Sequence, residues 1–157
     1  MQVSIRPLQE QDAYTSVKWR NDPEVFKYTG NTYDHEILLE TELEWIHKVI
    51  ANNNAGKEYR CAILADNKYV GNIYLTDIEN KSAHYHIFVG DRRYWGKGIA
   101  KHASIQILNY AFYNLGLEYV VLRVKKQNAS AYELYKKLGF IEVEEHDDWI
   151  SMKISKS

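Results

Sequence analysis

The run Tyr94-Trp95-Gly96-Lys97-Gly98-Ile99-Ala100 follows the strand-like segment His84-Tyr85-His86-Ile87-Phe88-Val89. A strand that breaks into two glycines around a lysine and then opens a helix has the outline of a pyrophosphate-binding turn. Glycine lets backbone N–H groups approach an anion closely, and a helix N-terminus carries partial positive charge. Two better-known phosphate motifs are excluded, because Gly-x-x-x-x-Gly-Lys-Ser/Thr and Gly-x-Gly-x-x-Gly are both absent from the sequence. Taken alone, the segment also fits a strand-to-helix turn that binds no ligand.

A second segment, Asn128-Ala129-Ser130-Ala131-Tyr132-Glu133-Leu134-Tyr135-Lys136-Lys137-Leu138-Gly139-Phe140, strengthens the first interpretation. Together the two segments resemble the GCN5-related N-acetyltransferase (GNAT) family, which transfers an acetyl group from acetyl-CoA to an amine. The family's helix pattern Asn-x-x-Ala-x-x-x-Tyr-x-Lys-x-Gly-Phe is matched by Asn128, Ala131, Tyr135, Lys137, Gly139 and Phe140.

The match to the family's loop pattern, Gln/Arg-x-x-Gly-x-Gly/Ala, departs at one position. Gly98 and Ala100 fit it, but Trp95 stands where Gln or Arg is usual. Two residues earlier, Arg93, Gly96 and Gly98 fit the pattern fully, so the register stays open by two positions. The resemblance to the family extends to the segments Ile5-Arg6-Pro7-Leu8 and Trp19-Arg20-Asn21-Asp22-Pro23. The Trp19-Arg20-Asn21 opening resembles the branch that acetylates nucleotide-linked amino sugars, and it also occurs in relatives that act on ribosomal-protein alanines and polyamines.

Length and charge narrow the class of protein. The 157 residues suit a single domain, 1–157, and a net charge of −1 argues against nucleic acid or an anionic membrane as the main partner. The lone Cys61 cannot form a disulfide within the chain and is expected to be a small buried residue. The sequence has no signal-peptide profile and no apolar run long enough to span a membrane, so we expect a soluble cytoplasmic protein. We expect it to be a monomer or a homodimer.

Periodicity predicts a mixed α+β fold. We expect a strand at 3–6, helices capped by Asp12 and Asp34, and an antiparallel meander at 59–65, 69–76 and 82–89. A long helix after the glycine loop, a buried strand at 119–124, a helix at 129–138 ended by Gly139 and strands at 140–145 and 148–154 complete the chain. The resemblance implies a mostly antiparallel sheet of six to seven strands, with helices on both faces and a splayed strand pair at the CoA site.

The resemblance also implies which residues hold acetyl-CoA, the acetyl donor, with no metal involved. Arg92 and Arg93 are further candidates for phosphate contacts, although surface solvation is equally consistent with them. The expected donor-binding residues are Phe88, Val89, Arg93, Trp95, Gly96, Lys97, Gly98, Ile99, Ala100, Asn128 and Lys137.

For catalysis, the resemblance makes Tyr135 the general acid that protonates the departing thiolate, with Tyr132 or a purely structural tyrosine as the alternative. Many relatives carry a glutamate base in the strand before the loop, where this chain has His84 and His86 on one strand face. Imidazole is a reasonable base for an amine. His84 occupies the glutamate position and is therefore the first candidate for the base. The alternatives are that both histidines are structural, or that a water relay deprotonates the amine.

The acceptor side is assigned to Trp19, Arg20 and Asn21, with simple packing and solvation as the competing interpretation. We expect the acceptor to be the primary amine of a small molecule, with a nucleotide-linked amino sugar as the specific hypothesis. Acetylation of protein N-termini or polyamines, or a non-catalytic acyl-CoA-binding module, are the alternatives.

Overall fold

The computed structural model describes residues 1–25, 27 and 35–157, and its elements follow the predicted order closely. Asp34 lies outside the described residues, and Leu38 immediately precedes the second helix. The elements are β1 (Val3–Pro7), α1 (Ala13–Arg20), α2 (Leu39–Asn54), β2 (Tyr59–Ala65), β3 (Lys68–Glu79), β4 (Ser82–Val89), α3 (Ile99–Asn109), β5 (Tyr119–Lys125), α4 (Ala129–Leu138), β6 (Ile141–Glu145) and β7 (Trp149–Ser155).

Asp12 has a different role from the one predicted. It directly precedes α1, but its carboxylate makes no capping bond to that helix. Instead it accepts two hydrogen bonds from the Arg6 guanidinium, at 2.8 and 2.9 Å, and one from the backbone N–H of Gln9 at 2.8 Å. The buried carboxylate therefore ties the start of α1 to β1.

The strands form one seven-stranded sheet in the order β1-β2-β3-β4-β5-β7-β6. All neighbouring pairs are antiparallel except β4 and β5, which are parallel. The mostly antiparallel α+β sheet expected from the sequence is confirmed.

The parallel pair separates after three residues. Ser82, Ala83 and His84 pair with residues 119–121 of β5, and no β4–β5 pairing follows among the described residues. On its other side, β4 stays paired with β3 as far as Val89. One backbone edge of β4, from Tyr85 to Val89, therefore faces a cleft instead of a neighbouring strand.

Helices cover both faces of the sheet, as alternating side chains in β2 show. Cys61 and Ile63 belong to the core cluster that contains Ala103 and Ile107 of α3. Ala62, between them, belongs to a second cluster with Ile46 of α2. Since side chains alternate along a strand, α3 and α4 pack on one face while α1 and α2 pack on the other.

One further feature matches the sequence-based expectations. Cys61 is fully buried, and this burial raises the pKa of its thiol to about 12, as suits a core residue. Within the described part of the chain, none of the helices combines the length and apolarity that crossing a bilayer requires.

Candidate active site

A cavity of about 880 Å³ occupies the cleft where β4 and β5 separate. On one side its wall comes from the glycine loop, the first turn of α3 and the facing surface of α4. On the other side it comes from α1, α2 and the opposite face of the sheet, including Arg20, Trp45, Arg60, Tyr74 and His86. We call these the donor half and the acceptor half.

The glycine loop of the donor half owes its shape to backbone conformation. Gly96 and Gly98 have φ angles of 74° and 78°, a region that residues with a Cβ rarely adopt. A Cβ added at Gly98 would find its nearest neighbour, the His102 ring, 4.0 Å away. Glycine is therefore required at Gly98 by the backbone turn into α3, and the space beside it stays open for a ligand.

Trp95 fastens this loop to β4. Its indole Nε1–H donates a 2.7 Å hydrogen bond to the backbone carbonyl of Val89, while 45% of the residue remains exposed. The residue that departs from the family pattern thus contacts the end of the unpaired β4 edge.

The structure divides the predicted donor-binding residues into two groups. Those on the cavity wall are Phe88, Val89, Trp95, Gly96, Gly98, Ile99, Ala100 and Asn128. Arg93, Lys97 and Lys137 do not line it.

Arg93 instead makes a bidentate ion pair with Asp91, at 3.0 and 2.8 Å. Its hydrogen bonds hold the pKa of the Asp91 carboxyl at about 2. Arg92 contacts Asp22 at 3.0 Å. Both arginines therefore form ion pairs that stabilise the chain next to the glycine loop.

Asn128 has the capping role predicted for it. Its side-chain oxygen accepts a 3.3 Å hydrogen bond from the backbone N–H of Ala131 and so caps α4. Because Asn128 also lines the cavity, capping and ligand contact are compatible.

Tyr135 of α4 lies on the cavity wall with only 8% of its surface exposed. Its ring packs edge-to-face against Tyr85 and Phe140, with centroids 5.7 and 5.9 Å apart. Among the described residues its hydroxyl has no recorded hydrogen-bond partner. Desolvation raises the pKa of Tyr135, so the hydroxyl stays protonated at neutral pH.

Its rival Tyr132 is placed differently. The Tyr132 hydroxyl donates a 2.7 Å hydrogen bond to Glu142, and the residue does not line the cavity. Of the two tyrosines, Tyr135 lines the cavity and Tyr132 does not.

The two candidate histidines share one face of β4, but only His86 lines the cavity. Its Nε2 lies 3.0 Å from the Thr76 hydroxyl. The pKa of His86 is lowered from its ordinary value of 6.5. The largest cause is partial desolvation by neighbouring groups, and the positive charges of Arg60 and His84 contribute next. Both histidines are exposed, but His84 stands outside the cavity wall.

Two arginines of the acceptor half are held over aromatic rings. Arg20 donates from Nε to both oxygens of the buried Glu42, at 2.7 and 2.9 Å, and its guanidinium lies 4.2 Å from the centre of the Trp45 ring. Arg60 donates to Glu58 at 2.6 Å and lies 4.5 Å from the Tyr74 ring centre. Each is fixed by a carboxylate on one side and a ring on another.

The other two acceptor candidates have structural contacts. Trp19 is buried against Tyr69 and Phe88, with ring centroids 4.7 and 6.1 Å away, and its ring lies directly over Gly90. Asn21 bonds through its amide to the backbone of Ile37, accepting at 2.8 Å and donating at 3.0 Å. Neither lines the cavity.

The cavity residues that sequence reasoning missed include Trp45, Arg60, Tyr74, Arg123 and Trp149. One local signal existed, because Arg60 interrupts an otherwise apolar strand on the same face as Ala62. Tyr74, Arg123 and Trp149 stand on strands far apart in sequence and are brought together by the sheet order, and Trp45 joins them because α2 packs on the same face.

The sequence and the fold are both similar to those of known proteins. The model of the family described as acetyltransferase (GNAT) domain matches residues 2–141. The acetyltransferase PseH of Campylobacter jejuni is 25% identical over 150 residues, covering 96% of this chain and 90% of PseH.

Two solved structures are also similar. The spermidine N-acetyltransferase of Vibrio cholerae in complex with CoA and spermine superposes with a TM-score of 0.84 at 25% identity, covering 98% of this chain and 95% of that one. Apo FdhC, a nucleotide-linked sugar GNAT, has a TM-score of 0.83 at 23% identity, covering 98% and 86%.

Proposed function

Because the chain belongs to the GNAT acetyltransferase family, whose members acetylate amines with acetyl-CoA, we propose that its acceptor is a small-molecule primary amine, specifically a nucleotide-linked amino sugar. We further propose that residues 1–157 form one catalytic domain. One observation carries the proposed acceptor. The donor half and the acceptor half form one continuous cavity through the sheet, and cationic and aromatic side chains line the acceptor half.

The donor half fits acetyl-CoA. The β4 edge from Tyr85 to Val89 offers backbone groups with no strand beside them among the described residues, as an extended pantetheine arm would require. The glycine loop then directs the first N–H groups of α3 toward a pyrophosphate. Acetyl-CoA supplies a thioester there. The Val89 carbonyl bonds to Trp95 on the unpaired edge of β4, so the backbone N–H of Val89 points to the same edge and can polarise the thioester, whereas that of Phe88 points toward β3.

Tyr135 is the proposed general acid. Its hydroxyl faces the cavity from α4, and its raised pKa keeps the proton available at neutral pH. A proton held at this atom can pass to the sulfur that leaves, so that no free thiolate is released.

His86 is the proposed base, ahead of His84. It lies on the acceptor half, and its lowered pKa keeps the imidazole neutral at physiological pH. A neutral ring nitrogen can take a proton from an ammonium group directly or through one water molecule.

The nature of the acceptor wall supports a nucleotide-linked sugar. Arg20 over Trp45 and Arg60 over Tyr74 present flat guanidinium and aromatic surfaces, which suit the sugar and base rings of such an acceptor. FdhC, which shares the fold, is a nucleotide-linked sugar GNAT.

A polyamine is the second candidate acceptor. Glu24 lies on the cavity wall, and an adjoining cavity of about 710 Å³ contains Glu58, Asp77 and Glu79. Carboxylates would attract a multiply charged amine, and the similar V. cholerae enzyme was solved with spermine.

The test is thiol release from acetyl-CoA with a panel of acceptors. The panel contains UDP- and dTDP-linked amino sugars, the same sugars without the nucleotide, spermidine, and short peptides with free N-termini. We expect the highest kcat/KM with a nucleotide-linked sugar. A higher value with spermidine or with a peptide would overturn the proposed acceptor and leave the acetyltransferase assignment in place.

A further inference from the structure

The sheet has a partly exposed basic face beside the acceptor half. On β5, Val120, Leu122 and Val124 point into the core, so Tyr119, Arg123 and Lys125 point to the opposite face. The register pairs Arg123 with Ser151 and Lys125 with Trp149, so Trp149 and Lys153 of β7 lie on this face as well. We call these five residues, Tyr119, Arg123, Lys125, Trp149 and Lys153, the basic sheet face.

Aromatic rings hold the three cations of this face. The Arg123 guanidinium and the Lys125 ammonium lie 4.9 and 5.5 Å from the centre of the Trp149 ring. The Lys153 ammonium lies 4.2 Å from that of Tyr119. Such contacts restrict a long side chain and leave its charge uncompensated, whereas a carboxylate partner would neutralise it.

Carboxylates do partner the other cations nearby. Arg20 pairs with Glu42, Arg60 with Glu58, and Lys126, next to Lys125 in sequence, with Glu145 at 2.6 Å. Within the described residues, no ion pair is recorded for Arg123, Lys125 or Lys153. Glu144 shares the face in register with Ser151, and its carboxylate contacts His146 at 3.6 Å.

The basic sheet face is continuous with the reaction cavity. Arg123 and Trp149 line that cavity, across the cleft from His86, which lies on the same side of the sheet. Arg123 and Lys125 are two residues apart on one strand, about 6.6 Å along its axis, so a single diphosphate can reach both. A group bound there would leave the rest of the acceptor pointing into the cavity.

We propose that the basic sheet face is the subsite for the diphosphate of the acceptor, with Arg123 and Lys125 as its principal contacts and Lys153 as a further positive charge. This inference rests on the proposed nucleotide-linked acceptor and names the residues that recognise its anionic part. It makes Arg123 and Lys125 determinants of acceptor specificity that lie outside both family motifs.

The test is binding of UDP, with uridine as the uncharged comparison, to protein saturated with CoA. Saturation fills the donor phosphate site, so UDP then reports a separate anion site. We expect UDP to bind and uridine to bind at least tenfold more weakly. Arg123→Gln and Lys125→Gln should each raise the UDP Kd fivefold or more, whereas the matched neighbour variant Lys126→Gln should change it less than twofold. Unchanged CoA affinity shows that each variant is folded.

Three results would contradict either the subsite or the proposed acceptor, and they can be told apart. If UDP does not bind to the CoA-saturated protein, or binds equally well to Arg123→Gln and Lys125→Gln, the subsite is overturned. If these variants change the oligomeric state and not the UDP affinity, the face is an interface between copies of the chain, and the proposal is wrong. If UDP binding depends on Arg123 but the nucleotide-linked amino sugars are not acetylated, the subsite stands and the proposed acceptor fails.

Discussion

The indole N–H of Trp95 bonds to the backbone carbonyl of Val89 at 2.7 Å and so ties the glycine loop to the last residue of β4. The bond joins the segment proposed to hold the pyrophosphate to the strand edge proposed to hold the pantetheine arm. Trp95 thereby links these two segments through a contact within the chain.

Trp95→Phe keeps an aromatic ring and removes only this donor. Because one such hydrogen bond contributes about 1 kcal/mol, we expect the CoA Kd to rise about fivefold, as measured by titration calorimetry. An unchanged Kd would show that the bond does not position the loop. Tighter binding would show that the indole competes with CoA for the Val89 carbonyl.

Gly98→Val should weaken CoA binding tenfold or more, because a β-branched residue cannot hold the φ of 78° and the loop must change shape. Gly56→Val is the matched control, since Gly56 has a φ of 73° with no atom within 4 Å of an added Cβ. Both variants should lose stability in denaturant, but only Gly98→Val should lose CoA affinity. Equal CoA affinity in the two would contradict the loop assignment.

Tyr135→Phe keeps the ring packing and removes the acidic proton. We expect kcat to fall by ~10²–10⁴-fold with little change in CoA affinity. Since the pKa of Tyr135 is raised above its ordinary value of 10.0, wild-type kcat should show no loss from deprotonation of this group below pH 10. Tyr132→Phe is the control and should leave kcat nearly unchanged. A loss below about threefold in Tyr135→Phe would indicate a packing role.

The acid side of the pH profile tests His86. A base must be neutral to act, so kcat should fall as pH drops through the pKa of His86, which lies below its ordinary 6.5. His86→Ala should remove this limb, while His84→Ala, on the same strand face but outside the cavity wall, should retain it. Persistence of the limb in both variants would favour a water relay.

Gly90→Ala tests the structural role of Trp19. An added Cβ at Gly90 would come within 2.0 Å of the buried Trp19 ring, which Tyr69 and Phe88 hold in place. We expect a loss of about 1–3 kcal/mol in the free energy of unfolding, measured in urea. In a Trp19→Leu background the same substitution should cost less, and an equal cost there would rule out the clash as its cause.

Much of the donor half could be predicted because its determinants are local in sequence. Gly96 and Gly98 sit at one strand-to-helix turn, and Asn128 and Tyr135 are spaced along one helix. The lysines and the arginine drawn from the same patterns, Lys97, Lys137 and Arg93, fall outside the cavity wall. A spacing pattern does not reveal whether a flexible charged side chain turns toward a ligand, toward water or toward a neighbouring carboxylate.

The sequence by itself determined the order of the elements, the open turn at Gly98 and the cap at Asn128, since hydrophobic periodicity and backbone conformation depend on neighbouring residues. Only the tertiary structure decided which histidine lines the cavity, that Trp19 is buried, and that Arg123 and Trp149 join the cavity. The physical reason is the separation of β4 from β5 beyond His84 and Val121. In the described part of the chain, the cavity at this gap is lined by side chains from nine different helices and strands, and its position depends on strand pairing across the whole sheet.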